Sequence, residues 1–387
     1  MNVLLVGAGL GGLTLGIALC RTGHQVHIIE QAAALGEVGA GVQISANGSR
    51  VLHGLGLAGG LDAICFRPEC GEMRHWRSGE LLITRPLGSV SIERYGFPYY
   101  HLHRADFHRV LVDAFRAAGG IVSLNSKLVD IEMDGASVSA TIADGTRHVG
   151  DVLIGCDGIH STVRQWLHGE DSPRFTGCVA WRATVPTEDL PDGHVRPVAS
   201  NWLGQGGHFV HYFLRAGALV NCVGVIERDD WVDESWSAEG TTAAFAEDFA
   251  GWHDDLQLLI RTAERCYRWG LFDRAPLPWW SRGRVSLLGD ACHPMLPFMA
   301  QGAVMAIEDA YTAAKCLNDI DDTHNALQRY QALRLERTSL VQQMSRDNIS
   351  LFHNPDVDDL EAKLNQHRER HHWLYGYDVA EQSFPVP

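Results

Sequence analysis

Val3-Leu4-Leu5-Val6-Gly7-Ala8-Gly9-Leu10-Gly11-Gly12 is the stretch whose reading decides the fold. Four apolar residues in a row predict a short strand buried on both faces. Gly7 permits a tight turn, Gly9 lets a pyrophosphate approach the backbone, and Gly12 lets the next helix pack close on the strand. That helix points its N-terminal N–H groups and its dipole at phosphate. Leu13 to Leu19 continue it, Thr22-Gly23 turn the chain, and Val26-His27-Ile28-Ile29-Glu30 read as a second strand. Glu30 stands 18 residues beyond Gly12, where a carboxylate accepts hydrogen bonds from both hydroxyls of an adenosine ribose. The same charge repels a 2′-phosphate, so the expected nucleotide is FAD or NAD rather than NADP.

The rest of the chain fits a soluble α/β enzyme. Its 387 residues exceed what one core usually supports, so two domains are expected. A hydrophobic share of 45% with 20% charged residues is ordinary for a globular protein. A net charge of −15 argues against nucleic acid and against an anionic membrane surface. Nine scattered cysteines without a C-x-x-C pair suit free thiols in a reducing cytoplasm. Residues 1–20 are apolar, but they lack a basic leader and carry the nucleotide-binding glycines, so they read as strand and helix.

Two later motifs extend the reading. Gly155-Cys156-Asp157-Gly158-Ile159-His160-Ser161-Thr162-Val163-Arg164 follows the apolar Val152 to Ile154. Asp157 stands where a parallel strand opens onto the ligand crevice, and Ser161 is a natural N-cap for a helix to Leu167. Leu287-Leu288-Gly289-Asp290-Ala291-Cys292-His293-Pro294 follows another strand, and a proline-flanked loop leads to Gln301-Gly302-Ala303, which opens a helix to Leu317. Between Phe175 and Glu227 the pattern turns β-rich, with strands at Cys178 to Val185, His208 to Leu214 and Ala218 to Ile226; it reads as a separate antiparallel sheet. No linker or repeat separates the parts, so the domains interleave. The expected division is 1–70, 100–174 and 270–320 for nucleotide binding, 71–99 and 175–269 for the substrate, and 321–387 as a C-terminal helical region.

The ordered set of three motifs resembles the single-component FAD-dependent aromatic hydroxylases. Pro276-Leu277-Pro278, Trp280-Ser281-Arg282-Gly283-Arg284 and Ala306-Ile307-Glu308-Asp309-Ala310 are most similar to the salicylate hydroxylase branch, and Tyr375-Gly376-Tyr377-Asp378 resembles the 6-hydroxynicotinate 3-monooxygenases. The resemblance implies a Rossmann-like, doubly wound FAD domain interleaved with a smaller β-rich substrate domain. It implies that Gly7, Gly9, Gly12 and Glu30 hold the dinucleotide and that Asp290 binds the ribityl chain. Pro297, Gly302 and Ala303 then lie along the pyrimidine edge of the flavin. Arg104, in His103-Arg104-Ala105-Asp106-Phe107, contacts FAD by the same resemblance. Gln43, in Gly39-Ala40-Gly41-Val42-Gln43-Ile44-Ser45, passes near the isoalloxazine. Asp157 touches the FAD and the path of the nicotinamide, with Arg164 in support, and Gln301 joins the catalytic set.

The implied reaction uses NADH or NADPH, bound transiently, to reduce FAD; the reduced flavin captures O₂ and one oxygen atom reaches an electron-rich ring. Deprotonating a ring hydroxyl raises that electron density, so a base is needed there. Residues 208, 210 and 212 share one face of a strand and 211 the other. His208 is therefore the candidate base and Tyr212 the orienting group, as the resemblance also implies. Phe213 departs from the salicylate-type pattern, which has Pro. The expected substrate is a small hydroxylated aromatic acid, salicylate-like and losing CO₂; a 6-hydroxynicotinate-type pyridine acid or a 3-hydroxybenzoate 6-hydroxylase-type substrate is the alternative. A monomer or homodimer is expected, with no membrane or nucleic-acid partner and no metal. His371-His372 reads as a solvated helix face. A flavin halogenase would carry a Trp-x-Trp-x-Ile-Pro segment, which is absent. An NAD-dependent dehydrogenase would leave the Asp157 and Asp290 motifs without a role.

Overall fold

The computed structural model describes residues 1–36, 41–229, 238–354 and 360–381. Five parallel strands form one sheet in the order Val285–Leu287, Val152–Gly155, Asn2–Val6, Gln25–Ile29 and Ile121–Ser123. The apolar run at Val3 sits in the middle strand, and Val3, Leu4 and Leu5 are buried. All three glycine motifs therefore leave the carboxyl ends of adjacent strands, which is where a doubly wound sheet binds its ligand. Helices Leu10–Arg21, Arg104–Ala117 and Gly302–Asp319 pack on one another beside this sheet. A small antiparallel sheet of Leu128–Met133, Val138–Ile142 and Arg147–Gly150 completes the unit.

An eight-stranded sheet makes the second unit. Its order is Ala238–Gly240, Cys266–Asp273, Arg174–Pro186, Leu219–Glu227, Gly207–Leu214, Ala199–Gly204, Cys70–His75 and Leu81–Pro86. The expected antiparallel sheet is in fact mixed, because Ala199–Gly204 runs parallel to Cys70–His75. These two strands reach the sheet from chain segments far apart in sequence, so no hairpin fixes their direction. The alternation of Gly207–Leu214 gives the sheet two dissimilar faces. Phe209 and Phe213 join a buried aromatic cluster with Trp181, Phe245, Phe249 and Trp252, under helices Thr242–Asp248 and Asp254–Thr262. Trp181 and Phe245 stack at 5.0 Å, and Phe249 meets Trp252 edge-on at 4.9 Å. Each such pair adds about 0.5–1.5 kcal/mol beyond area burial. The other face looks toward the first unit.

The C-terminal helices Thr323–Phe352 and Leu360–Tyr375 close that gap. Asp322 caps the first by accepting from the Asn325 N–H at 2.8 Å. Its Arg334 is fully buried and pairs with Glu308 and Asp309, each at 2.7 Å, while Arg337 pairs with Glu308 at 2.8 Å. Burial raises both carboxyls, but Arg337 and Arg334 beside Glu308, and His293 and Arg334 beside Asp309, hold them below their usual range. The long helix is thereby fixed beside Gly302–Asp319. Among the described residues no helix is long and apolar enough to cross a membrane, and all nine cysteines are free thiols.

Candidate active site

A groove runs past Glu30 and Gly9, along Cys156 to Gly158, and on to Arg104, Asp290 and Gly302. Its floor depends on missing side chains. Gly7 has φ +100°, and a Cβ there would lie 2.6 Å from the Cys156 carbonyl oxygen. A Cβ on Gly12 would stand 2.3 Å from the Gly7 carbonyl oxygen, so helix and strand could not close. At Gly9 nothing lies within 4 Å of that position: the backbone faces open space. The three glycines thus have three separate physical roles, turn, packing and clearance.

The polar groups along the groove suit a dinucleotide. Glu30 accepts from the Ala8 N–H at 2.7 Å and the Ala32 N–H at 2.8 Å, which aims its remaining lone pairs outward. Asp157 accepts from Ser161 Oγ at 2.5 Å and from the Thr162 and Val163 N–H groups at 2.8 and 3.2 Å. It lines the groove while capping helix Thr162–His168, whose Ser161 N-cap also forms as expected. Arg164 is buried and joins Asp171, at 2.8 Å, to the carbonyls of Ala291 and Cys292. It braces the Asp290 turn from behind. Asp290 itself is exposed, but into a walled cavity, and that enclosure raises its carboxyl pKa while His293 and Arg104 lower it. Gly302 and Ala303 begin a helix that no side chain caps, so its first N–H groups and positive dipole end face the same cavity. An open diphosphate approach, a carboxylate for ribityl hydroxyls and a helix terminus for a ring that gains negative charge together fit FAD. Cys292, His293 and Asp309 also converge. Asp309 is already held by His293, Arg334 and the Gly289 N–H, so this cluster is an ion-paired brace.

Where the groove ends, a partly open cavity begins. Gln43, the Pro297–Ala300 turn, the inner face of the eight-stranded sheet and helix Leu360–Tyr375 enclose it. The turn is strained at Ala300, a non-glycine residue at φ +51°, and the long helix holds it: Asn348 donates to the Phe298 carbonyl at 3.1 Å, and Gln342 to that of Pro294 at 2.8 Å. His208 lines the cavity between the rings of Phe298 and Phe352, and burial drives its pKa down. Tyr212 shares its strand face but not its place. Four residues at about 3.3 Å each set it roughly 13 Å further along. There it packs on His101, at 4.4 Å, and under Gly41, and it meets the cavity through a hydrogen bond with Gln43. His211 does point the other way and accepts from Trp202 Nε1 at 3.1 Å. Phe213 also faces away, against Phe66 at 5.1 Å, so its departure from the salicylate-type pattern does not touch the cavity. Gln301 is buried, donates to Ser45 Oγ at 3.0 Å and accepts from Asn47 at 3.3 Å; it ties the helix start to the chain just after strand Gly41–Ile44, which carries Gln43. Gly39 and Ala40 lie outside the described residues.

Several cavity residues carried no motif. Arg85 reaches in from the edge strand, and its guanidinium lies over the Tyr375 ring at 5.5 Å. Among the described residues no carboxylate pairs with it, and its Nε is buried without a hydrogen-bond partner. His367 and His371 flank it from the last helix; burial and the Arg85 charge push both pKa values down, that of His367 to about 3. The expected solvated face at His371-His372 is half wrong: His371 is buried in the cavity wall and only His372 is exposed. The i, i+4, i+8 spacing of His367, His371 and Tyr375 was the available sign.

The chain compares closely with known proteins. A family described as "FAD binding domain" matches residues 1–346. A 3-amino-4-hydroxybenzoate 2-monooxygenase of Streptomyces platensis is 39% identical over 98% of this chain and 96% of its own length. A 6-hydroxynicotinate 3-monooxygenase of Pseudomonas fluorescens is 37% identical over 100% and 96%. A solved salicylate hydroxylase substrate complex superposes with a TM-score of 0.84 at 29% identity, over 98% of this chain and 96% of that one.

Proposed function

This chain belongs to the FAD-binding family of aromatic hydroxylases, and from that premise we propose that its substrate is a six-membered aromatic acid whose ring hydroxyl lies opposite the carboxylate. It is an FAD-dependent monooxygenase with a nicotinamide nucleotide as reductant. Bound FAD, once reduced, activates O₂ and supplies the oxygen atom. The observation that carries the substrate reading is the separation of base and cation in one cavity. His208 pairs with Leu203, and the Arg85 rung runs through Gly71 to Ala199, four residues away on the same strand as Leu203. That is roughly 13 Å along the strands and, over three strand spacings, roughly 14 Å across them. Two side chains leaning inward over that span leave room for a ring held at both ends. A hydroxyl and an acid on neighbouring carbons, as in salicylate, would leave one of them unpaired.

In this reading Arg85 takes the carboxylate and His208 Nε2 takes the hydroxyl proton. Pro297, Phe298 and Met299 shield the ring from water, which protects the oxygen transfer. Gln301 acts as a positioning residue through Ser45 and Asn47. The carbon para to the ionised oxygen bears the carboxylate, so attack there releases CO₂; an amino group beside the hydroxyl directs attack to its own neighbouring carbon. The names of the two relatives support the opposed arrangement, since 6-hydroxynicotinate and 3-amino-4-hydroxybenzoate both have it. The test is a panel of those two acids with salicylate and 3-hydroxybenzoate, following O₂ uptake, CO₂ release and aromatic product with NADH. Coupled turnover of an opposed acid is expected. Coupled turnover of salicylate or 3-hydroxybenzoate alone overturns the reading.

A further inference from the structure

We propose that His353 and Glu227 form a proton relay that connects the buried His208 to solvent. The inference rests on the reading of His208 as the ring-hydroxyl base. Three groups, two on neighbouring strands and one at a helix end far along the chain, are in line: His208 Nδ1 to His353 Nε2 at 2.9 Å, and His353 Nδ1 to Glu227 Oε1 at 2.7 Å. His208 and His353 are 3% and 6% exposed, while the Glu227 side chain is 51% exposed. The chain therefore starts in the cavity and ends in water.

The hydrogen bonds dictate the tautomers. The Glu227 carboxylate can only accept, so His353 carries its proton on Nδ1. His353 Nε2 then accepts from His208 Nδ1–H. That leaves the lone pair of His208 Nε2 facing the cavity, the form a general base requires. The transfer balances without any further reactant. The ring hydroxyl gives its proton to His208 Nε2, His208 Nδ1–H passes to His353 Nε2, and His353 Nδ1–H passes to Glu227 and on to water. One proton enters and one leaves, and no charged imidazole stays behind.

The surroundings make such an outlet necessary. His208 is walled by Phe298, Phe352 and His353. Burial first, and His353 second, push its pKa well below the usual value, so it cannot store the proton it takes. His353 is lowered by burial too, with Glu227 acting in the opposite direction. Cys178, the cross-strand partner of Glu227, has a thiol that burial pushes up to about 12. Neighbouring Arg228 is engaged with Asp248 at 2.9 Å. No competing proton acceptor among these groups would short-circuit the path. His353 itself is fixed at the end of helix Thr323–Phe352, and its carbonyl accepts from the Gly206 N–H at 2.9 Å.

The test uses the FAD-loaded enzyme mixed with its best substrate in a weakly buffered solution of a pH indicator. Proton release to solvent and hydroxylated product are followed together. Glu227→Gln, on the surface, should keep FAD and substrate affinity but slow both readouts by about tenfold or more. His353→Phe should do the same, and Glu227→Asp, which keeps the carboxylate, should recover most of the rate. His208→Gln is run in parallel. If His208→Gln is severely impaired while Glu227→Gln and His353→Phe release protons at the normal rate, the relay is overturned and the base survives. If His208→Gln hydroxylates normally, the base reading itself has failed.

Discussion

The nucleotide groove and the substrate cavity meet at the Pro297–Ala300 turn, yet they are built on opposite plans. The groove is made of short contiguous motifs, each a strand end, a turn and a helix start, and its chemistry is mostly backbone. The cavity is made of single side chains from five separated segments: Gln43, Arg85, His208, Phe298 and His371 among them. Behind the groove, buried charges are held as ion pairs, with Arg334 and Arg337 against Glu308 and Asp309. The cavity wall holds a guanidinium that no carboxylate among the described residues pairs with, beside histidines that burial keeps neutral. A scaffold that recognises a cofactor can rest on local sequence; one that recognises a ring acid is decided by what the fold brings together.

The widest break in this comparison should come from two glycines three residues apart. Gly9 has φ −74°, which any residue adopts, and open space beyond it. Gly9→Val should leave the apoprotein within about 0.5 kcal/mol of its normal stability. It should nonetheless weaken FAD binding about a hundredfold, or ~2.7 kcal/mol, because the side chain fills the diphosphate approach. Gly12→Val should instead destabilise the protein itself, since its Cβ alone would overlap the Gly7 carbonyl. Urea unfolding of both apoproteins and FAD titration by fluorescence separate the two. Equal loss of stability in both variants would mean that Gly9 is a packing residue and that the groove is not a clearance at all.

That contrast also explains what was legible in the sequence. Strand Asn2–Val6, the turn at Gly7, Glu30 at a strand end, Ser161 as N-cap and the helix at Gly302 follow from neighbours within one motif, and local rules suffice for them. The mixed eight-stranded sheet was not legible, because the pairing of Ala199–Gly204 with Cys70–His75 joins segments more than a hundred residues apart. Tyr212 was given a correct face but an incorrect neighbourhood, since period-2 alternation says nothing of distance along the strand. Arg85, His353 and Glu227 carry no local signal; only the assembled fold shows them facing the same space or one another. Their roles rest on side-chain geometry, and each is open to single substitutions.

Arg85→Gln tests the cavity half of the comparison. The change removes the positive charge and keeps a polar but shorter side chain. Loss of a charge-assisted hydrogen bond is typically about 1.5–3 kcal/mol, or roughly 10- to 150-fold in substrate affinity. FAD retention should not change, because Arg85 stands outside the groove. The amide analogue of the acid should bind the variant and the parent alike. Substrate affinity unchanged in Arg85→Gln would place the carboxylate elsewhere, and with it the orientation of the ring.

The smallest effect expected is the response of the substrate sheet's far face to acid. His211 lies on the far face of the substrate sheet, buried, with its pKa lowered to about 3 chiefly by burial. In the unfolded chain a histidine titrates near 6.5. Below that value the unfolded state binds a proton that the folded state refuses, so stability is full above about pH 6.5 and falls as pH drops toward about 3. The slope for one such group approaches about 1.4 kcal/mol per pH unit. Glu308 and Asp309, on the nucleotide side, run on a different scale: their folded pKa values are lowered, so their contribution is present above the ordinary carboxylate range and is lost only at lower pH. Between pH 6.5 and 5 buried histidines, His211 among them, therefore govern the loss rather than these carboxyls. His211→Gln can still accept from Trp202 Nε1 but has no proton to gain. Its stability should be lower than the parent's at pH 7.5 and decline less steeply with acid, by about 1.4 kcal/mol per pH unit, in urea unfolding at pH 7.5, 6 and 5. Parallel decline of parent and variant would show that His211 becomes protonated in the folded state, and that the far face of the sheet is wetter than its packing indicates.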